Sequence, residues 1–324
     1  MKRQLGVPDL REDLETGYSV GIVSHFKFRE LAVSLISGFE HFVREGEPLS
    51  PLTSLRLGGT AKYFAEPTSV DEFAAISKAF SEAGETIRLI GSGSNLLISK
   101  EQVDGLVVHL SAPAFCQIEI EGNTMRVGGG AKLSHVVSNA AREGLSGPQH
   151  MVGMPGTFGG ALHSHIRFPN VDIASWVKSV DCMKRSGERL TFRGEEVDFS
   201  AEQSGLSELV ILSVEAEFEK EKPEVLTKQL QKLWLVKKAK RPPADVNAAH
   251  IFKDPVGETA GELIESAGLK GSSVGDVSIF DADPNYFLAG SNATADDVLK
   301  LIDLVKTGVS EKLDVELETA IQVW

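Results

Sequence analysis

Short strand patterns alternating with amphipathic helical ones, glycine-punctuated turns, and a Pro242-Pro243 break ahead of two further helices predict a soluble globular protein of the α+β or α/β class. Ala61-Lys62-Tyr63-Phe64-Ala65 reads as a strand, and Phe73, Ile76 and Phe80 share one face of the helix that follows it. Residues 87–90 and 107–110 return to strand, and 117–120 and 125–127 are short strands separated by Gly and Pro. A helix is expected over 133–143. Strands at 177–183, 189–192 and 209–218 precede a charged helix over 223–240. Helices over 260–267 and 294–309 and a terminal strand over 315–323 complete the pattern. Upstream, residues 28–43 carry apolar positions at helical spacing, closed by the breaker Gly46-Glu47-Pro48.

Composition removes several function classes. The chain holds 33 Lys and Arg against 46 Asp and Glu, a formal net charge of −13, which repels nucleic acid and acidic membrane surfaces. Any phosphate must therefore be held locally. Cys116 and Cys182 are too few for a disulfide framework, and no Cys/His cluster has metal-ligand spacing, so no metal is expected. No signal-like apolar segment and no membrane-length apolar run occurs, which together with free thiols predicts a cytoplasmic protein without a membrane span.

The chemistry-bearing feature is glycine. Leu89-Ile90-Gly91-Ser92-Gly93-Ser94-Asn95-Leu96 puts small residues directly after an apolar strand, where successive backbone N–H groups form a concave anion site. Gly153-Met154-Pro155-Gly156-Thr157-Phe158-Gly159-Gly160-Ala161 is a second such stretch, with Gly128-Gly129-Gly130 between them. A lone turn of this kind is as easily a tight bend; the pair favours a large phosphate-bearing cofactor. Neither stretch matches the GxGxxG dinucleotide fingerprint or the GxxxxGK[ST] phosphate loop, which argues against nicotinamide-first and ATP-first readings.

These residues resemble the UDP-N-acetylenolpyruvoylglucosamine reductase (MurB) family. Thr53-Ser54-Leu55-Arg56-Leu57-Gly58-Gly59-Thr60-Ala61 resembles its T-x-x-R-I-G-G-x-A opening, residues 91–97 its GGGSNLL, and 153–161 its GIPGTVGGA. Ile251-Phe252-Lys253-Asp254-Pro255 resembles xFKNP, residues 260–271 AGKLIEEAGLKG, and 292–298 NATAxDV. The matches are collinear over residues 48–322, and the short interval from Glu202 to Phe252 resembles the type II form. The resemblance implies an α+β fold: an N-terminal extension (1–47), a two-lobed PCMH-type FAD-binding domain (48–218) and a C-terminal substrate domain (219–324). It implies FAD contacts at Arg56, Gly91, Ser92, Gly93, Ser94, Asn95, Leu96, Gly153, Pro155, Gly156, Thr157, Gly159, Gly160 and Ala161. It implies NADPH as reductant, and a nucleotide-sugar substrate near Lys253 and Asn285.

In the family, hydride adds to an enolpyruvyl double bond, leaving carbanion character beside a carboxylate. That intermediate calls for a cation and a proton donor. The corresponding motifs are YRxS, GSxFKNP and LExEV. Here the YRxS stretch aligns with residues 201–204 and puts Glu202 at the Arg, His250 stands at the Ser, and Ala320 stands at the Glu. The flavin-side NAGAYG stretch reads His165-Ile166-Arg167-Phe168-Pro169-Asn170, and the HxNF stretch reads Asp283-Pro284-Asn285-Tyr286. His250, as a group titrating near neutrality, and Glu318, two residues before Ala320, are candidate catalytic substitutes. Arg167 is a candidate cation beside the flavin. Three readings remain open: a reductase with altered catalytic groups, a family-derived binding or regulatory protein without turnover, or a flavin oxidoreductase acting on another substrate.

Overall fold

In a computed structural model, residues 35–168, 171–199 and 205–324 are described. Most of the expected N-terminal helix and the stretch aligned with YRxS, including Glu202, lie outside them. The compact unit relevant to function is Phe42–Trp324.

Its first layer is a sheet of β1 (Val43–Pro48), β2 (Thr60–Ala65), β3 (Ile87–Ile90) and β4 (Gln102–His109) in the order β1-β2-β4-β3. β2 and β3 both run parallel to β4, and β1 pairs antiparallel with β2. Residues 43–48 thus correct the helix-and-breaker expectation: Gly46 adopts φ +66° inside a strand instead of ending a helix. Helix α1 (Val70–Glu82) starts where the Ser69 side chain accepts the Glu72 N–H, and it buries Phe73, Ile76 and Phe80 as their spacing predicts.

The second layer is wholly antiparallel. β5 (Ile118–Glu121), β6 (Thr124–Gly128), β7 (Val177–Lys184), β8 (Arg189–Arg193) and β9 (Leu209–Glu217) stand in the order β8-β7-β9-β6-β5. Helices α2 (Leu133–Arg142) and α3 (Phe158–His163) contribute Val136, Val137, Phe158 and Leu162 to a core shared with Val127, Val180 and Val214 of the sheet. The charged helix α4 (Pro223–Ala239) follows and buries only Leu226 of its own length.

The last unit is a small sheet covered by helices. β10 (Asn247–His250), β11 (Ser273–Val274), β12 (Val277–Ile279) and β13 (Tyr286–Ala289) form the order β10-β13-β12-β11. Helices α5 (Ala260–Ser266) and α6 (Ala295–Leu313) each begin with a reciprocal cap, Thr259 with Glu262 and Thr294 with Asp297. The expected strand over 315–323 is divided between two partners. Lys253 N–H donates to the Glu318 carbonyl, and the Ala320 and Ile321 N–H groups both donate to the Ile251 carbonyl. Gln322–Val323 then pairs parallel with Leu96–Leu97, at the end of the first glycine turn. The C-terminus therefore ties the third unit to the first.

Ile321 sits at this crossing and is 3% exposed. Ile321→Ala is expected to lower unfolding free energy by about 2–5 kcal/mol in urea denaturation, whereas Val323→Ala, at 48% exposure, stays within about 0.5 kcal/mol.

Candidate flavin and substrate site

The two glycine stretches, far apart in sequence, meet. An ideal Cβ on Gly91 would lie 3.3 Å from Thr157 Oγ1, and one on Gly156 would lie 3.9 Å from Ser94 Oγ. Gly91, Ser92, Asn95, Pro155 and Gly160 are exposed along this junction. Among the described residues no acceptor takes the N–H groups of Ser92, Gly93, Ser94 or Asn95. Thr157 caps α3 by accepting the Gly160 N–H at 3.2 Å, and a Cβ on Gly160 would meet only that hydroxyl. Unpaired donors, a helix N-terminus and missing side chains fit a pyrophosphate-bearing group.

The glycines divide by task. A Cβ on Gly93, at φ +59°, would fall 1.8 Å from the Leu52 carbonyl oxygen, and one on Gly159 would fall 2.7 Å from the Gly129 carbonyl oxygen. Both serve close backbone approach, and the Gly93 carbonyl accepts the Ser54 N–H. Ala161 and Leu96 are buried in the core. Arg56 has a left-handed backbone, φ 55°, and its guanidinium donates to the Pro51 carbonyl. Two residues before it, Ser54 meets the first turn.

On the substrate side, Asn285 is 1% exposed, and both ends of its amide are engaged: Oδ1 accepts the Phe252 N–H and Nδ2 donates to the Phe252 carbonyl. This makes Asn285 a brace for the segment carrying His250 and Lys253. Lys253 Nζ donates to Glu318 at 2.9 Å, and that hydrogen bond holds the exposed carboxyl below its usual range. Ala320 lies against Ile251 through its backbone. Arg167 pairs with Asp172 at 3.3 Å and donates to His165, which itself contacts Asp172 at 3.0 Å. A cavity of about 1120 Å³ borders Arg167, Asp172, Trp176 and Lys178, but none of the glycine-turn residues line it.

A cluster that sequence reasoning did not assemble joins the two sides. His250 stands directly opposite Tyr286 in the β10–β13 ladder, their rings edge to face at 5.1 Å. The positive charge of Arg241 acts on the Tyr286 hydroxyl, and its guanidinium lies 3.5 Å from where a Gly153 Cβ would be. The Trp234 ring, 2.9 Å from the same position, completes the contact with Gly153. Burial pushes the His250 imidazole down, with Arg241 adding to the effect and the carboxylates of Asp283 and Asp254 opposing it. Burial also depresses the Lys237 ammonium, assisted by the Arg241 charge.

Two family profiles match this architecture: an FAD-binding domain over residues 61–193, and the C-terminal domain of UDP-N-acetylenolpyruvoylglucosamine reductase over 241–324. The reductase of Rhodopirellula baltica is 39% identical over 284 residues, which covers 88% of this chain and 93% of that protein. The chain belongs to the UDP-N-acetylenolpyruvoylglucosamine reductase family. The Bacillus subtilis reductase is 31% identical over 284 residues, with 87% and 93% coverage. The crystal structure of the Thermus caldophilus MurB superposes with a TM-score of 0.74 at 29% identity, covering 87% of this chain and all of that one. MurB membership identifies the cofactor as FAD and bears out the α+β expectation of an FAD-binding domain followed by a family-specific C-terminal domain. No helix among the described residues is long and apolar enough to cross a membrane.

Two substitutions separate the tasks of the glycines. Gly93→Ala is expected to destabilise the fold by on the order of 1–3 kcal/mol in thermal unfolding. Gly160→Val, whose Cβ meets only the Thr157 hydroxyl, lowers the melting temperature less than Gly93→Ala does but weakens flavin binding on the order of tenfold or more, about 1.4 kcal/mol, read by flavin-fluorescence titration. The sign for His250 also follows. Its folded pKa lies below the unfolded value of about 6.5, so its penalty is absent above that pH and grows as pH falls through it. His250→Gln therefore flattens the acid-side loss of stability measured by denaturant midpoints.

Proposed function

We propose that the protein is an FAD-dependent, NADPH-consuming reductase that acts in the cytoplasm on the enolpyruvyl group of UDP-N-acetylglucosamine enolpyruvate, in peptidoglycan precursor synthesis. The observation that carries the reading is the convergence of the two glycine turns beside the substrate-domain strand, in a chain that spans 93% of its reductase relative. FAD, when bound, supplies the hydride. Ser92, Gly93, Ser94 and Asn95 offer backbone N–H groups to its pyrophosphate, beside the exposed Gly160 backbone and the Thr157 hydroxyl that caps α3. Lys253 is the cation for the nucleotide-sugar phosphates. Glu318, held ionised by Lys253, orients that ammonium and is not a proton donor. His250 is neutral near neutral pH, so it relays a proton and does not hold one in readiness.

Ala320 lacks the carboxylate of the LExEV motif, which favours the second reading, a binding or regulatory protein without turnover. Anaerobic rapid mixing separates the two. Purified protein is expected to show a flavin spectrum that NADPH bleaches and the enolpyruvyl nucleotide sugar restores; failure of the sugar to restore it establishes the second reading. Lys253→Met is expected to raise KM for the sugar on the order of tenfold while kcat stays within about threefold, because the lost charge-assisted contact serves ground state and transition state alike.

A further inference from the structure

We infer that Tyr286, paired across the strands with His250, is the proton donor of the oxidative half-reaction, in place of a hydroxyl at position 250; this rests on the reductase reading above. The geometry is a cross-strand exchange. His250 and Tyr286 are directly opposed in an antiparallel ladder, on the same face of the sheet. A hydroxyl absent from one is present on the other. Tyr286 stands at the aromatic position of the HxNF stretch, where phenylalanine has no hydroxyl to give.

A positive charge also stands beside the hydroxyl. The Arg241 charge acts on its oxygen, and the phenolic hydrogen is the proton that oxygen can give. The same guanidinium reaches the backbone of Gly153, the first residue of the second glycine turn, at 3.5 Å from its ideal Cβ. The Arg241–Tyr286 pair thus spans from the flavin-side turn to the substrate sheet. Around it stand His250, Asp283 and Asp254, with Lys237 farther along the Arg241 side. Burial raises the Tyr286 phenol and the Arg241 contact lowers it, so the group stays protonated at neutral pH with its conjugate base stabilised by a fixed positive charge.

The step balances. Hydride adds to the methylene carbon of the enolpyruvyl group and forms one C–H bond, while the π electron pair moves to the carbon bearing the carboxylate. The O–H bond of Tyr286 breaks and its proton forms the second C–H bond there. The carbon is reduced by two electrons and the flavin is oxidised by two. A carbanion beside a carboxylate is a stronger base than a phenolate, so the transfer runs downhill. The phenolate left behind is paired with Arg241 and recovers a proton from water through the neutral imidazole of His250. Arg241 is a positioning residue: it acts through the phenol.

The test uses the FAD-loaded full chain and follows its half-reactions separately. Tyr286→Phe is expected to leave flavin reduction by NADPH within about threefold, and to leave binding of the enolpyruvyl nucleotide sugar to the oxidised protein, read as a perturbed flavin spectrum, within about threefold. Reoxidation by the sugar falls by about 10²-fold or more. Arg241→Met slows the same step, and Arg241→Lys restores part of the rate, because an ammonium keeps a positive charge beside the phenol oxygen. A Tyr286→Phe protein that is reoxidised within about threefold of the unsubstituted protein overturns the inference alone, as does an equal loss in both half-reactions. An unsubstituted protein that the sugar never reoxidises overturns the reductase reading first, and the inference with it.

Discussion

The fold depends on one extended segment being hydrogen-bonded on successive sides. The Ile251 carbonyl accepts from Ala320 and Ile321, and one residue later the Gln322 N–H reaches the Asn95 carbonyl. Remove that segment and the stretch carrying Phe252 and Lys253 loses its partner on one side, while Leu96–Leu97 becomes an unpaired edge beside the flavin turn. Backbone groups in such a position must find partners or water. The crossing is sealed by buried Leu317 and Ile321, which pack with Leu55, Leu97 and Phe252 in a core drawn from both ends of the chain. Cofactor turn and substrate strand are therefore held in register by the chain's own end.

Against that frame of hydrogen bonds, the glycines act by absence of a side chain in two different senses. At Gly93 and Gly159 the missing Cβ lets two backbones pass within contact distance, so the turns can converge at all. At Gly160 and Gly91 an added Cβ would meet no backbone, only the Thr157 side chain, whose hydroxyl lies 3.2 and 3.3 Å away. The first kind is a condition of folding, the second a condition of binding. Both were written into the same motif.

The turns and the larger elements were legible because each has a local cause: the spacing of Phe73, Ile76 and Phe80, the glycine punctuation after residues 87–90, the strand pattern along residues 209–217. The small C-terminal sheet was not. Its strands run only two to four residues, too short for a period of two to stand out, and they form because α5 and α6 cover them. Hence nothing local announces that His250 will face Tyr286. Arg241 was equally hidden: it follows a lysine-rich helix end and precedes two prolines, where a cation reads as solvated surface. Asn285 shows the converse, since a polar residue in a motif suggested substrate contact while its amide braces Phe252.

The replaced motif positions acquire a physical logic from this arrangement. In an antiparallel ladder, directly opposed side chains on one face are neighbours, so a functional group moved from one strand to the residue opposite keeps its place on the sheet without any backbone change. Moving a hydroxyl from a short side chain to a phenol also lengthens its reach, and a buried phenol requires a partner. Arg241 acts on that phenol and brings a positive charge back to a site whose sequence puts Glu202 at the motif arginine. Its charge is partly balanced by Asp283, which acts on both Tyr286 and His250. Asp283 also accepts the Asn285 N–H in the turn that sets β13, so the acid belongs to the geometry that holds the phenol in place. A phenol, its guanidinium and the turn that orients both thus form one connected unit, whose loss at any member would be felt at the same atom.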